Sequence, residues 1–214
     1  MRTILSLFLL LPILAPAQDS AEDVQKKAVT YHDSNDLWPN LQATFNFIET
    51  RPSGPDRKTV IEFNNPSSYM KINRNDEEIF EVTSDTAVVI KGDAEQERGV
   101  MLRNYYLYLW GLPMKLMDES TPTLTLAKDQ KVNDVNCKVV RVAYQKDTWY
   151  FSFDSNTGRM LQYSFYQDEA ETKGELILLE DEIEYQGLKI PQKRSWYTLP
   201  DKKFLGTDVL TSIE

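Results

Sequence analysis

Leu41-Gln42-Ala43-Thr44-Phe45-Asn46-Phe47 decides the fold. Apolar and polar residues alternate through it with a period of two. That period belongs to a β-strand with one buried and one wet face. Pro52-Ser53-Gly54-Pro55 follows as a turn, and Thr59, Ile61 and Phe63 alternate again. Asn64-Asn65-Pro66-Ser67 is the next turn, before strands at Ser68–Asn73, Glu78–Thr83 and Thr86–Lys91. Short strands at this spacing predict an antiparallel meander.

Upstream the period is helical. Ser20 stands where it can cap, Glu22 and Asp23 suit the first turn, and Val24, Ala28 and Tyr31 share a face. The helix should end near His32-Asp33-Ser34-Asn35, ahead of Pro39. Further upstream, Arg2 is followed by an apolar run from Ile4 to Leu14 and then Ala15-Pro16-Ala17. This is the pattern of a cleavable export signal. The run would be about 16 Å long as a helix, about half a bilayer core, and so too short to span one. Cleavage is expected after Ala17, giving a single mature domain over 18–214 and a periplasmic or secreted location.

Downstream, residues 95–120 break the strand pattern. Val100, Met101, Tyr105, Tyr108, Leu109 and Leu112 fall at helical offsets, with Gly111 and Pro113 as punctuation. The spacing predicts a helix over 97–110, a break, and a short turn at 113–117. Strands resume at Thr123–Lys128, Cys137–Gln145, Thr148–Asp154, Arg159–Tyr166, Glu175–Tyr185, Leu188–Thr198 and Lys203–Ile213. Asp129–Asp134 and Asp168–Glu171 read as polar loops. The fold class is therefore α+β, mainly β. About 10–12 antiparallel strands form a curled sheet or incomplete barrel, closed by the N-terminal helix and the central helical segment.

Composition narrows the chemistry. The 214 residues carry 24 Lys+Arg against 33 Asp+Glu, a net charge of −9, which disfavours nucleic acid as a partner. One Cys excludes an intrachain disulfide, and one His excludes a multi-histidine zinc site. His32 beside Asp33 could act as a general base, but no GxSxG accompanies it, and a histidine at a helix C-terminus is favoured by the dipole. Cys137 lies in a strand and reads as a small buried hydrophobe. Glu180, Glu182 and Glu184 share a strand face, but same-face residues lie roughly 6.6 Å apart, so they read as a solvated face rather than a calcium site. No cofactor or metal is expected.

The aromatic content is the positive signal. Tyr105, Tyr106, Tyr108 and Trp110 crowd the central helix, and Met114, Leu116 and Met117 follow. The strands add Phe45, Phe47, Phe63, Tyr69, Trp149, Phe151, Tyr163 and Phe165. Such residues suit a pocket for a flexible apolar ligand, although each also suits a core. The expected binding set is Phe45, Phe47, Phe63, Tyr105, Tyr108, Leu109, Trp110 and Met114.

Lys27-Ala28-Val29-Thr30-Tyr31-His32-Asp33, Tyr108-Leu109-Trp110-Gly111-Leu112-Pro113-Met114-Lys115-Leu116 and Trp196-Tyr197-Thr198-Leu199-Pro200 carry a resemblance, as does Tyr150–Asp154 running on to Gly158. With the order of elements, they make the chain resemble the LolA/LolB-like superfamily of lipoprotein carriers, and more closely an exported family of that fold. The resemblance implies a half-barrel with an apolar cavity for acyl chains, no catalysis, and a lipoprotein or envelope protein as a possible partner. It makes 97–117 the lid, with Gly111 as its hinge and Pro113 as its stop. The carriers hold their lid with a strand arginine; Arg51, Arg57 and Arg74 are the candidates here, and none is assigned to that role. The acidic chain disfavours close approach to anionic lipid. Two rivals stand beside the binding protein: an interaction protein whose barrel is filled by its own side chains, and a hydrolase using His32.

Overall fold

The computed structural model describes residues 19–214; the expected export signal lies outside them. Ser20 caps helix α1 (Ala21–His32) in a capping box, with Asp23 returning a bond to the Ser20 amide. Thirteen strands are present among the described residues. They are β1 (Gln42–Thr50), β2 (Arg57–Asn64), β3 (Tyr69–Arg74), β4 (Glu78–Thr83) and β5 (Thr86–Lys91), then β6 (Leu124–Leu126), β7 (Gln130–Val132), β8 (Val135–Ala143), β9 (Thr148–Asp154), β10 (Met160–Tyr166), β11 (Gly174–Tyr185), β12 (Leu188–Leu199) and β13 (Phe204–Ile213). Helix α2 (Gln96–Trp110) interrupts them, followed by a 3₁₀ turn at Met114–Met117. The break falls at Gly111, as the spacing predicts.

All the strands belong to one antiparallel sheet in the order β5-β4-β3-β2-β1-β13-β12-β11-β10-β9-β8-β6, with β7 paired to β8. The last strand returns to pair with the first, Phe47 opposite Leu210. This pairing joins the two halves of the chain. β5 and β6 stay unpaired on their outer sides, so the sheet curls without closing.

Strand β7 was expected to be loop. Three residues are too few to show a period, but Asn133 and Asp134 both take positive φ, 46° and 65°. Two left-handed residues in succession make the hairpin turn that matches strand twist, and β7 folds back onto β8 through it. Gln186-Gly187 does the same between β11 and β12.

Inward residues of every long strand form one core with α1 and α2. It includes Phe45, Phe47, Ile61, Phe63, Phe80, Phe151, Tyr163, Ile177 and Leu210. A small separate patch, with Val132, Cys137, Val139 and Leu176 buried, lies outside that core beneath the β7 arm. Cys137 is buried there, and burial pushes its thiol above the usual range.

Candidate functional site

The concave face of the sheet is occupied by α2. Gly99 places the N-terminal half of the helix against β4 and β5; a Cβ there would come within 2.8 Å of both Ala87 and Phe80. The C-terminal half enters the interior, where Trp110 packs on Phe47 with ring centroids 4.6 Å apart. Phe47 neighbours Phe45, which packs on Phe63 at 4.8 Å, and Trp38 covers Phe63. Leu109, Leu112, Met114 and Leu116 complete this apolar plug.

Six of the eight expected binding residues are thus brought together and buried: Phe45, Phe47, Phe63, Leu109, Trp110 and Met114. Tyr105 and Tyr108 are half-buried and turn to the opposite wall. Tyr105 stacks on Trp196, and Tyr108 meets Trp149 and shares a 2.8 Å hydrogen bond with Tyr144. The six and the two tyrosines thus pack on different walls of the interior. A recess of about 250 Å³ lies at the seam between α2 and the 38–39 and 65–70 segments. Trp38, Met70, Arg103, Leu107 and Lys115 line it, and none of the eight does.

Gly111 is helical at φ −87°, so it supplies no special backbone conformation. Its role is space: a Cβ would lie 2.4 Å from Trp38 Cζ2 and 2.6 Å from the Leu107 carbonyl. Pro113 stands directly before the 3₁₀ turn, as a stop should.

A belt of charge crosses the interior under α2. Arg194 on β12 stands opposite Asp208 on β13, Asp208 opposite Glu49 on β1, and Glu49 opposite Arg57 on β2. Glu49 and Asp208 are almost fully buried. Glu49 accepts from Arg57 Nε at 2.6 Å, from Thr59 at 2.5 Å and from the Tyr106 hydroxyl at 2.8 Å. Burial opposes its ionisation, but the Arg57 and Thr59 bonds prevail and hold its carboxyl below the usual range. Asp208 accepts from Arg51 at 2.8 Å, Trp196 Nε1 at 2.8 Å and Tyr105 at 3.2 Å. Its burial and the Glu49 charge opposite push it up. Two adjacent tyrosines of α2 therefore end on two adjacent strand carboxylates.

Arg194 fastens the end of the same helix. Its Nη2 donates to the Leu109 carbonyl at 3.2 Å, its Nη1 to Pro191 at 3.1 Å, and its guanidinium lies 3.4 Å from the centre of the Trp110 ring. This is a strand arginine bonded to the lid candidate. Sequence reasoning weighed Arg51, Arg57 and Arg74 and passed over Arg194, Glu49 and Asp208. The legible signal was phase: Glu49 alternates in step with Phe45 and Phe47, Arg194 with Trp196, and Asp208 with Leu210. Each is a charge on an inward-facing position.

His32 is fully buried and does other work. Its Nδ1 faces the Lys189 carbonyl at 2.7 Å, and its Nε2 accepts from the Met160 amide at 3.0 Å. That pattern needs a neutral ring, protonated on Nδ1. Burial lowers its pKa to about 4, so a favourable helix-dipole interaction with a charged ring does not explain its position. It ties α1 to β12 and β10, with both ring nitrogens engaged. Asp33 accepts from the amides of Leu37 and Trp38, each at 2.8 Å. Of the three same-face glutamates Glu180, Glu182 and Glu184, Glu180 pairs with Lys193 at 2.8 Å, and Glu182 with Arg159 at 3.3 Å and the Tyr31 hydroxyl at 2.8 Å. Glu184 is exposed. No helix among the described residues is long and apolar enough to cross a membrane.

Residues 93–214 match the model of a family of unknown function, DUF6503, and the chain belongs to that family. No curated protein matches it. Among solved structures, a LolA superfamily protein from Nitrosomonas europaea superposes with a TM-score of 0.59 at 9% identity, over 92% of this chain and 94% of that one. A DUF1329 family protein from Desulfovibrio piger gives 0.56 at 11% identity, over 92% and 93%. A domain assigned as an outer membrane lipoprotein-sorting protein from Vibrio parahaemolyticus gives 0.59 at 10% identity, over 91% and 92%. The fold is LolA-like.

Proposed function

We propose that this member of the DUF6503 family is an exported, non-enzymatic binding protein of the bacterial envelope that holds an acyl chain or similar apolar molecule inside its half-barrel. The observation that carries this reading is the way α2 occupies the interior. Its plug is apolar, through Leu109, Trp110 and Met114, yet its attachments are discrete polar bonds from Tyr105, Tyr106 and Arg194. A helix held in this way can leave as a unit and expose a preformed aromatic trough. The acyl chain then replaces Trp110 and its neighbours against Phe45, Phe47 and Phe63. Each CH₂ so buried contributes about 0.8 kcal/mol, so a long chain can offset the displaced plug. The recess beside Leu107 and Trp38 is the seam through which the exchange starts. The LolA-like fold supports a carrier-like role, with a lipoprotein or another envelope protein as a possible donor or acceptor.

The test is native mass spectrometry of the protein exported to the periplasm and purified without detergent. The expected result is a mature chain starting at Gln18 with a non-covalent acyl mass that is lost on denaturation. A bare chain that also fails to take up N-phenyl-1-naphthylamine from water would overturn the reading. It would leave the interaction protein with a permanently filled barrel.

A further inference from the structure

Arg194 is fully buried and has no carboxylate within ion-pair reach among the described residues, whereas Arg57 pairs with Glu49, Arg51 with Asp208 and Arg74 with Glu78. Asp208 lies directly across the sheet from Arg194 but gives its oxygens to Arg51, Trp196 and Tyr105. Of the five N–H donors of Arg194, two are bonded, and both go to backbone carbonyls. Its Nε has no hydrogen-bond partner among the described residues. The Tyr163 hydroxyl on β10, also fully buried, sits beside the guanidinium without a well-formed hydrogen bond to it, and has no other partner among the described residues. Buried polar groups are nearly always satisfied, and a buried charge without a counter-ion is strongly disfavoured. A latch onto one helix carbonyl needs a single donor and accounts for neither orphaned group. Opening of α2 would also remove the Leu109 carbonyl and the Trp110 face, leaving Pro191 as the remaining partner of the guanidinium.

We propose that Arg194 and Tyr163 form the headgroup site for a single-chain anionic amphiphile, an acyl or alkyl chain ending in a carboxylate or phosphate monoester. This rests on the binding reading above and adds the charge of the cargo. The oxyanion takes the positions now held by Leu109 and Trp110, accepting from the guanidinium, in the planar fork that suits carboxylate and phosphate, and from the tyrosine. The chain lies along the aromatic trough. One residue thus has two occupants in turn: the α2 carbonyl when the barrel is empty and the anion when it is loaded.

The experiment titrates the mature protein with dodecanoate, dodecyl phosphate and dodecanol, each displacing N-phenyl-1-naphthylamine. Expected is at least tenfold tighter binding of one anion than of dodecanol; the tighter of the two anions identifies the headgroup as carboxylate or phosphate. Arg194→Met should bring the three within about twofold of each other. Tyr163→Phe removes one hydroxyl that makes no well-formed hydrogen bond, so it should fold normally and narrow the anion preference severalfold without weakening dodecanol. It decides the matter alone if Arg194→Met does not fold. Dodecanol binding as tightly as both anions in the wild type would overturn the headgroup site and leave the binding reading standing. Displacement by none of the three would overturn both.

Discussion

Tyr106→Phe isolates one bond between helix and sheet. The hydroxyl donates to Glu49 Oε1 at 2.8 Å, and both side chains are about 98% or more buried. The ring stays, and its packing on Phe47 is kept. Removing a donor to a buried, ionised carboxylate costs about 2 kcal/mol, a roughly 30-fold change in an opening equilibrium. Glu49 retains Arg57 and Thr59, so its charge is not abandoned and the loss stays near that figure. For a chain of this size, about 2 kcal/mol lowers Tm by roughly 4–8 °C. Native-state hydrogen exchange reads the local consequence. If α2 opens as a unit, its amides in the wild type exchange sooner than those of β1 and β13, and Tyr106→Phe speeds them about 30-fold. Wild-type α2 amides as protected as those of β1 and β13 would refute a separable lid. A change under about threefold would refute the assignment of the latch.

Two other perturbations test the frame. His32 has a folded pKa of about 4 against an unfolded value of 6.5, so the unfolded chain binds more protons between those values and stability falls as pH drops from 6.5 towards 4. Urea unfolding at pH 5 should show His32 contributing about 2 kcal/mol less than at pH 7.5, and His32→Gln should lose that part of the pH dependence; an identical pH profile in the variant contradicts the neutral bridging ring. Gly111→Ala would ordinarily stabilise a helical position by up to about 1 kcal/mol. Here the added methyl meets Trp38 Cζ2 at 2.4 Å and a backbone carbonyl at 2.6 Å, so a loss of about 1–3 kcal/mol is expected, and an unchanged or raised Tm in a calorimetric scan contradicts the packing role.

Several elements were legible because their causes are local. The Ser20 box, the helical spacing of 97–110 and the break at Gly111 each depend on residues within a few positions of one another. The alternation through Leu41–Phe47 depends only on one face being wet. Strand β7 escaped because its three residues carry no period, although Asn133-Asp134 marked the turn that makes it. Six of the eight expected residues share one core because their phases all point inward.

The amino-acid order by itself determined a curled antiparallel sheet interrupted by an aromatic helix, since period and turn chemistry act at short range. The tertiary structure decided what that helix is tied to. Glu49 lies on the first strand and Asp208 and Arg194 on the last two, and the pairing of β1 with β13 and β13 with β12 lays the three side by side. Neither which carboxylate takes which arginine, nor which arginine is left without one, is encoded by spacing. Long-range register sets both: each group's partner is whatever the neighbouring strand places within about 3 Å of it, in an interior where water cannot substitute.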